Sequence, residues 1–95
     1  MAKIKITGND IISVLRGKIG YFSGDDIYDR GGEKIGYYDG NDVKDSDGRK
    51  IGYLEGSELY DEKGRRVATH ERINQEIQGS ADLMMKSAIY LLFLD

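Results

Sequence analysis

The stretch Ile35–Lys50, IGYYDGNDVKDSDGRK, decides the fold, because it is one of four copies of a sixteen-residue unit. The others are Lys3–Lys18 (KIKITGNDIISVLRGK), Ile19–Lys34 (IGYFSGDDIYDRGGEK) and Ile51–Arg66 (IGYLEGSELYDEKGRR). A fifth opens at Val67-Ala68-Thr69 and then gives way to helical sequence. Self-similarity at a fixed period marks a repeat architecture, in which each unit is one supersecondary element that buries its apolar face against its neighbours.

Each unit reads as two strands and two turns. Ile35-Gly36-Tyr37-Tyr38-Asp39 is rich in β-branched and aromatic residues, which suits a pleated, half-buried strand. The first turn recurs as Gly8-Asn9, Gly24-Asp25, Gly40-Asn41 and Gly56-Ser57. Gly followed by Asn, Asp or Ser predicts a two-residue type II′ hairpin, whose first central position needs φ > 0. The second turn recurs from Asp29 to Gly32, Asp45 to Gly48 and Asp61 to Gly64. Asp suits the first position of a type I turn, and Gly suits the left-handed residue that ends it. The first unit departs from the pattern: it lacks Ile-Gly-Tyr, and Val14-Leu15-Arg16-Gly17 replaces the acidic turn. Terminal repeats are commonly atypical.

Two-residue turns fix the pairing. They set Ile6 opposite Ile11, Phe22 opposite Ile27, Tyr38 opposite Val43 and Leu54 opposite Leu59, all apolar and all on one face, which is the expected core. The other face carries Lys5–Ile12, Tyr21–Tyr28, Tyr37–Lys44 and Tyr53–Tyr60, and is expected to be half-exposed. Gly20, Gly36 and Gly52 share the core face with Ala68 in the matching slot. A mid-strand Gly marks close approach of another backbone, here read as hairpins crowding round a common centre.

The tandem phrase IGYxxGxxxYDxxGxK, carried by Ile19-Gly20-Tyr21, Ile35-Gly36-Tyr37 and Ile51-Gly52-Tyr53 with their following turns, resembles the small bacterial four-fold β-flower proteins over about Lys3–Thr69. The resemblance implies four hairpins about a pseudo-fourfold axis, closed or nearly closed. It implies no activity and no functional residues.

Ninety-five residues make one domain, with repeats over 3–69 and a helical segment over 70–95. A chain this short buries roughly 60–65% of its unfolded surface. Without Cys it has neither a disulfide nor a thiolate metal site to reinforce the core. The net charge of −3 argues against nucleic acid as a partner. Met1–Ile6 has lysines with no apolar run behind them, and Ala81–Leu94 is interrupted by Asp82 and Lys86 and too short to span a bilayer. A soluble, cytoplasmic protein with no membrane partner is the expectation.

After Thr69 the apolar period becomes helical: Ile73, Ile77, Ala81, Met84, Ala88 and Leu91. Gly79-Ser80 suggests one helix ending and another capped, giving a short helix near 70–78 and a longer one near 81–94. The end, Ile89–Leu94, is apolar on all sides, so it must be covered. It either docks on its own hairpins or contributes Ile89, Leu92 and Phe93 to a homodimer.

No nucleophile–base pair, phosphate loop or metal-ligand spacing appears, so no enzyme, cofactor or metal is expected. His70, the one His, reads as structural. Asp45-Ser46-Asp47-Gly48 looks like part of an EF-hand loop, but Val43 stands at the first ligand position and no Glu closes it. Lys18, Lys34, Lys50 and Arg66 share one repeat position and could form a basic ring for an anion, or each could pair with a neighbouring acid. Tyr21, Tyr37 and Tyr53 could form a stacking platform for a sugar or peptide, or sheet packing. The expected function is a non-enzymatic structural or protein-interaction module, with self as one candidate partner. The alternative is a small-ligand or glycan-binding module using the Tyr face or the basic ring.

Overall fold

Gly8, Gly24, Gly40 and Gly56 adopt φ of 61°, 59°, 61° and 63°, and no non-glycine among the described residues has positive φ. The second central residue of each turn therefore has negative φ, so these are type II′ hairpins rather than type I′. A computed structural model describes residues 2–95 and shows the hairpins that the turns close: β1 (Ile4–Thr7) with β2 (Asp10–Ser13), β3 (Gly17–Ser23) with β4 (Asp26–Asp29), β5 (Lys34–Asp39) with β6 (Asp42–Asp45), and β7 (Lys50–Glu55) with β8 (Glu58–Asp61). The register matches the expected core pairs, Ile6↔Ile11, Phe22↔Ile27, Tyr38↔Val43 and Leu54↔Leu59.

The second turns join one hairpin to the next. The Gly32, Gly48 and Gly64 amides each donate to the carbonyl of the Asp three residues earlier, at 3.0 Å. The Asp Oδ1 then gathers the amides of the loop: Asp45 and Asp61 each accept from two, at 2.9 and 3.0 Å. In the first unit Ser13 stands in for Asp, its Oγ accepting from Leu15 and Arg16 N–H at 3.3 and 3.2 Å, and the positive φ moves to Gly17.

After β8 come β9 (Arg66–Thr69), α1 (His70–Glu76), β10 (Ile77–Gly79), α2 (Leu83–Ile89) and a π-turn (Tyr90–Leu94). The sheet has ten strands in the order β10-β1-β2-β3-β4-β5-β6-β7-β8-β9, antiparallel throughout except for β10 with β1. The expected pseudo-fourfold closed ring is thus corrected. The fifth unit supplies β9, and Thr69 then caps a helix, its Oγ1 accepting from Arg72 N–H at 3.2 Å. That helix replaces a hairpin turn and delivers β10 to the opposite edge. No ladder joins β9 to β10, so the sheet stays open and the chain alone spans its two edges through α1.

The tail also departs from expectation. Gly79 does not end a helix. It lies in β10 with φ 130°, and a Cβ there would overlap the Ile6 backbone that it pairs beside. Asp82 rather than Ser80 caps α2, accepting from Met85 N–H at 2.9 Å. The helix then widens after Ile89, with Asp95 N–H donating to the Tyr90 carbonyl at 2.9 Å, an i→i−5 bond.

A bulge recurs in each strand that follows a second turn. Tyr28 pairs with Lys34 and Ile27 with Gly36, leaving Ile35 as the extra residue; Ile19, Ile51 and Val67 are its counterparts. Bulges bend the strand and sharpen its twist. Here they curl the sheet into a disc, with principal extents of 31 × 30 × 19 Å. They also let each Ile pack on the core beside its Gly.

The core lies between the concave face and the tail. Ile11, Ile27, Val43 and Leu59 of the hairpins meet Ile73, Ala88 and Ile89. Consecutive residues of the π-turn enter consecutive glycine slots: a Cβ on Gly52 would lie 2.5 Å from Leu91 Cδ1, on Gly36 2.8 Å from Leu92 Cδ1, and on Gly20 3.1 Å from Phe93 Cζ. The common centre inferred from the glycines is real, and the chain's own end fills it. Ile89, one of the expected dimer contacts, is fully buried within its own chain, while Leu92 and Phe93 are half-buried.

Gly52→Ala is therefore expected to destabilise by about 1–3 kcal/mol, because the Tyr60 carbonyl at 2.5 Å cannot yield as a flexible side chain would. Gly31→Ala, exposed and with its nearest neighbour 3.4 Å away, should stay within about 0.5 kcal/mol of the parent in urea titrations. Leu54→Ala should cost about 2–4 kcal/mol by the same measurement, and more than Tyr53→Ala on the half-exposed face.

Candidate functional site

The bulge decides what the convex face looks like. In a regular strand, residues three apart point to opposite faces. With Ile35 as an extra residue, Lys34 and Tyr37 come to the same face, and the Lys34 ammonium sits 4.5 Å from the Tyr37 ring centroid. The same arrangement gives Lys50 over Tyr53 at 4.5 Å and Lys18 over Tyr21 at 5.4 Å. Each cation also reaches back to an acid of the preceding hairpin: Lys18–Asp10 at 3.2 Å, Lys34–Asp26 at 2.9 Å, Lys50–Asp42 at 3.2 Å and Arg66–Glu58 at 3.2 Å. The structure thus joins every one of these cations to an acid of the neighbouring hairpin. Arg66 has no ring below it, because the fifth unit carries Thr69 where the second to fourth units carry Tyr21, Tyr37 and Tyr53.

The tyrosines are occupied too. Tyr21 and Tyr28 stack at 4.9 Å and 12°, and Tyr53 and Tyr60 at 5.1 Å and 12°. Asp10 and Tyr28 flank Tyr21 from β2 and β4, and both the Lys18 ammonium and the Tyr28 ring lie against it. Aromatic and cationic groups thus form a comb across this face. The hydroxyls of Tyr21, Tyr37 and Tyr53 lean toward Gly32, Gly48 and Gly64 of the next turn. Lys44 takes the second Tyr's place in the third unit and pairs with Asp39 at 3.6 Å.

This face carries shifted pKa values with local causes. The hydrogen bond to Asp26 raises Lys34. The hydrogen bond to Glu58, at 3.1 Å, raises Tyr60. The backbone amide of Arg49, then that of Asp47, holds Asp45 below the usual carboxylate range, and Arg65 and Lys63 do the same for Asp61. Burial, followed by a bond to Asp25, raises Tyr38 on the concave face.

His70 is exposed at the start of α1, its backbone N–H donating to the Ser57 carbonyl at 2.8 Å. Among the described residues no group of three or more His, Cys, Asp or Glu converges as metal ligands would, and no helix is long and apolar enough to cross a membrane.

A second feature escaped the sequence reading. The first unit's irregular turn carries Val14, 48% exposed, and Leu15, 93% exposed, the exposed large hydrophobics of the described residues. The matching positions elsewhere hold Arg30-Gly31, Ser46-Asp47 and Glu62-Lys63. Beside this turn opens a groove of about 680 Å³, lined by Ala2, Ile4, Ile19, Phe93 and Leu94, with Lys3 and Arg16 contributing charge. The signal was visible as apolar residues in a turn slot that is polar in the other units.

The turn acids give a pH dependence. A carboxylate with a lowered folded pKa stabilises fully above its unfolded value, about 3.9, and loses that stabilisation as pH falls through the folded value. Stability in urea should therefore drop below about pH 4, and the pair Asp45→Asn/Asp61→Asn should drop less steeply over that window. Lys34 has the opposite sign: its contribution is complete below about pH 10.4 and fades as pH rises through the raised folded value.

Neither curated proteins nor solved structures give a match to this chain. A family model described as 5-fold beta-flower protein matches residues 2–89. Its fivefold description fits four hairpins with a fifth sector of β9, α1 and β10, where the repeats alone suggested four. On that match, which runs through the atypical first unit and most of the tail, the chain belongs to the 5-fold beta-flower family.

Proposed function

We propose that this protein is a non-enzymatic protein-interaction module that makes its contact through the Ser13–Gly17 turn and the adjoining groove. The observation that carries the reading is Leu15, 93% exposed at the tip of a turn and adjacent to an apolar groove. A lone exposed Leu is ordinary, but one that extends a concave apolar surface makes a patch of the kind that marks interaction sites. Ser13 Oγ, accepting from the Leu15 and Arg16 backbone amides, and the bond from Val14 N–H to the Lys3 carbonyl, at 3.0 Å, hold the turn in place without the Leu15 side chain. The side chain itself lies outside the core.

The convex face supports a ligand less well. A stacking site needs an uncovered ring face, and an anion site needs unpaired cations. Tyr21 and Tyr53 each stack on a second ring and lie beside a Lys, Tyr37 lies beside Lys34, and Lys18, Lys34, Lys50 and Arg66 each hold an acid.

A photo-crosslinking amino acid at position 15, irradiated in cells, should yield a discrete protein adduct. The same group at position 63, the equivalent turn slot of the fourth unit, should not. Equal yields at both positions, or none at 15, would remove this reading.

A further inference from the structure

Resting on that reading, we infer that the groove's occupant is a second copy of this chain, docked about a two-fold axis. Two separate segments bound the groove. One is the turn with Val14, Leu15 and Arg16; the other is the end of the π-turn with Phe93 and Leu94, followed by Asp95. An isologous interface needs a self-complementary surface, in which one segment meets the other and the reverse. This surface has both halves. Leu15 projects almost wholly free beside a hollow floored by Ala2, Ile4 and Ile19.

The charges are complementary in the same sense. Arg16 is exposed and, among the described residues, makes no ion pair within the chain; the same holds for Asp95. Setting Leu15 of each copy on Phe93 and Leu94 of the other brings Arg16 toward Asp95 across the axis, twice per dimer. An unrelated partner would need to supply an apolar side chain and a carboxylate at that spacing; a second copy already carries them. Tight complexes bury roughly 800 Å² per partner, more than this groove alone offers, so the dimer belongs to the weak, concentration-dependent class.

Sedimentation of the intact chain from low micromolar to millimolar concentration should show a reversible monomer–dimer equilibrium. Leu15→Asp should weaken it by about tenfold or more, with an unchanged circular dichroism spectrum because Leu15 is outside the core. Arg16→Asp and Asp95→Arg should each be monomeric, since each places like charges at both crossings. An equal mixture of those two variants should dimerise again, because both crossings then carry opposite charges. A monomer at every concentration, a dimer indifferent to Leu15→Asp, or a mixture that stays monomeric would each overturn the second-copy assignment. If the photo-crosslinker at position 15 captures a different protein while the intact chain stays monomeric, the interaction reading stands and the dimer falls. If it captures nothing, both fall.

Discussion

The fold depends on three missing Cβ atoms. Gly20, Gly36 and Gly52 line the concave face, and their emptiness admits Phe93, Leu92 and Leu91 against strand backbone. An open ten-stranded sheet with one apolar face needs cover. Here the cover is a single chain end, inserted where the hairpins converge. Ala68 takes the matching place in the fifth unit and is itself buried, so one methyl is tolerated there. Ile4 fills the place in the first unit and is part of the core rather than a slot. The three tail residues serve three successive hairpins because the chain turns through a π-turn. Its wider winding rotates less per residue than an α-helix, which suits a ring of five sectors better than the tighter helix would.

The bulge links this core to the convex face. One extra residue per unit lets Ile19, Ile35 and Ile51 stay with the core while Lys18, Lys34 and Lys50 swing over to the tyrosines. The same residue thus curves the sheet and assembles the Lys–Tyr–Asp sets. These sets are surface interactions, individually weak, with side chains between 39% and 48% exposed. Their value lies in specifying register. A one-residue slip between strands would part every Lys from its acid, and loss of the bulge would turn it away from its ring.

Much of this was legible in the residues. The period gave the hairpins, and Gly-Asn, Gly-Asp and Gly-Ser gave type II′ turns and the pairing down to single residues, because a two-residue loop leaves no freedom. The number of sectors was not legible, because the fifth unit replaces its turn with a helix and keeps only Val67-Ala68-Thr69 of the pattern. Apolar spacing at Ile73 and Ile77 read as one helix. Yet Ile77 pairs with Ile4 of β1, a tertiary demand that local periodicity does not carry. The bulges were hidden as well, since Ile-Gly-Tyr looks like an unbroken strand. At the candidate surface, the comb's residues were each named, while their mutual pairing waited on the bulge. Leu15 passed as a mere irregularity of the first repeat.

That irregularity follows from how repeats divide their labour. Where the period holds, each group has its counterpart within its own sixteen-residue unit: Tyr on Tyr, Lys on Asp, loop amide on Asp45 or Asp61. Such positions are explained by the sheet itself and leave little for a partner to bind. The departures fall in the first and fifth units, which the β10–β1 pairing brings side by side. There the Ser13 turn and the last residues of the tail converge, so the apolar groove opens on that side of the disc, beside a turn whose Val14-Leu15 has no apolar counterpart in the second to fourth units. Symmetry supplies the scaffold. The place where symmetry breaks is where an apolar side chain faces solvent with nothing among the described residues to cover it, and it is there that contact with another chain has physical reason to occur.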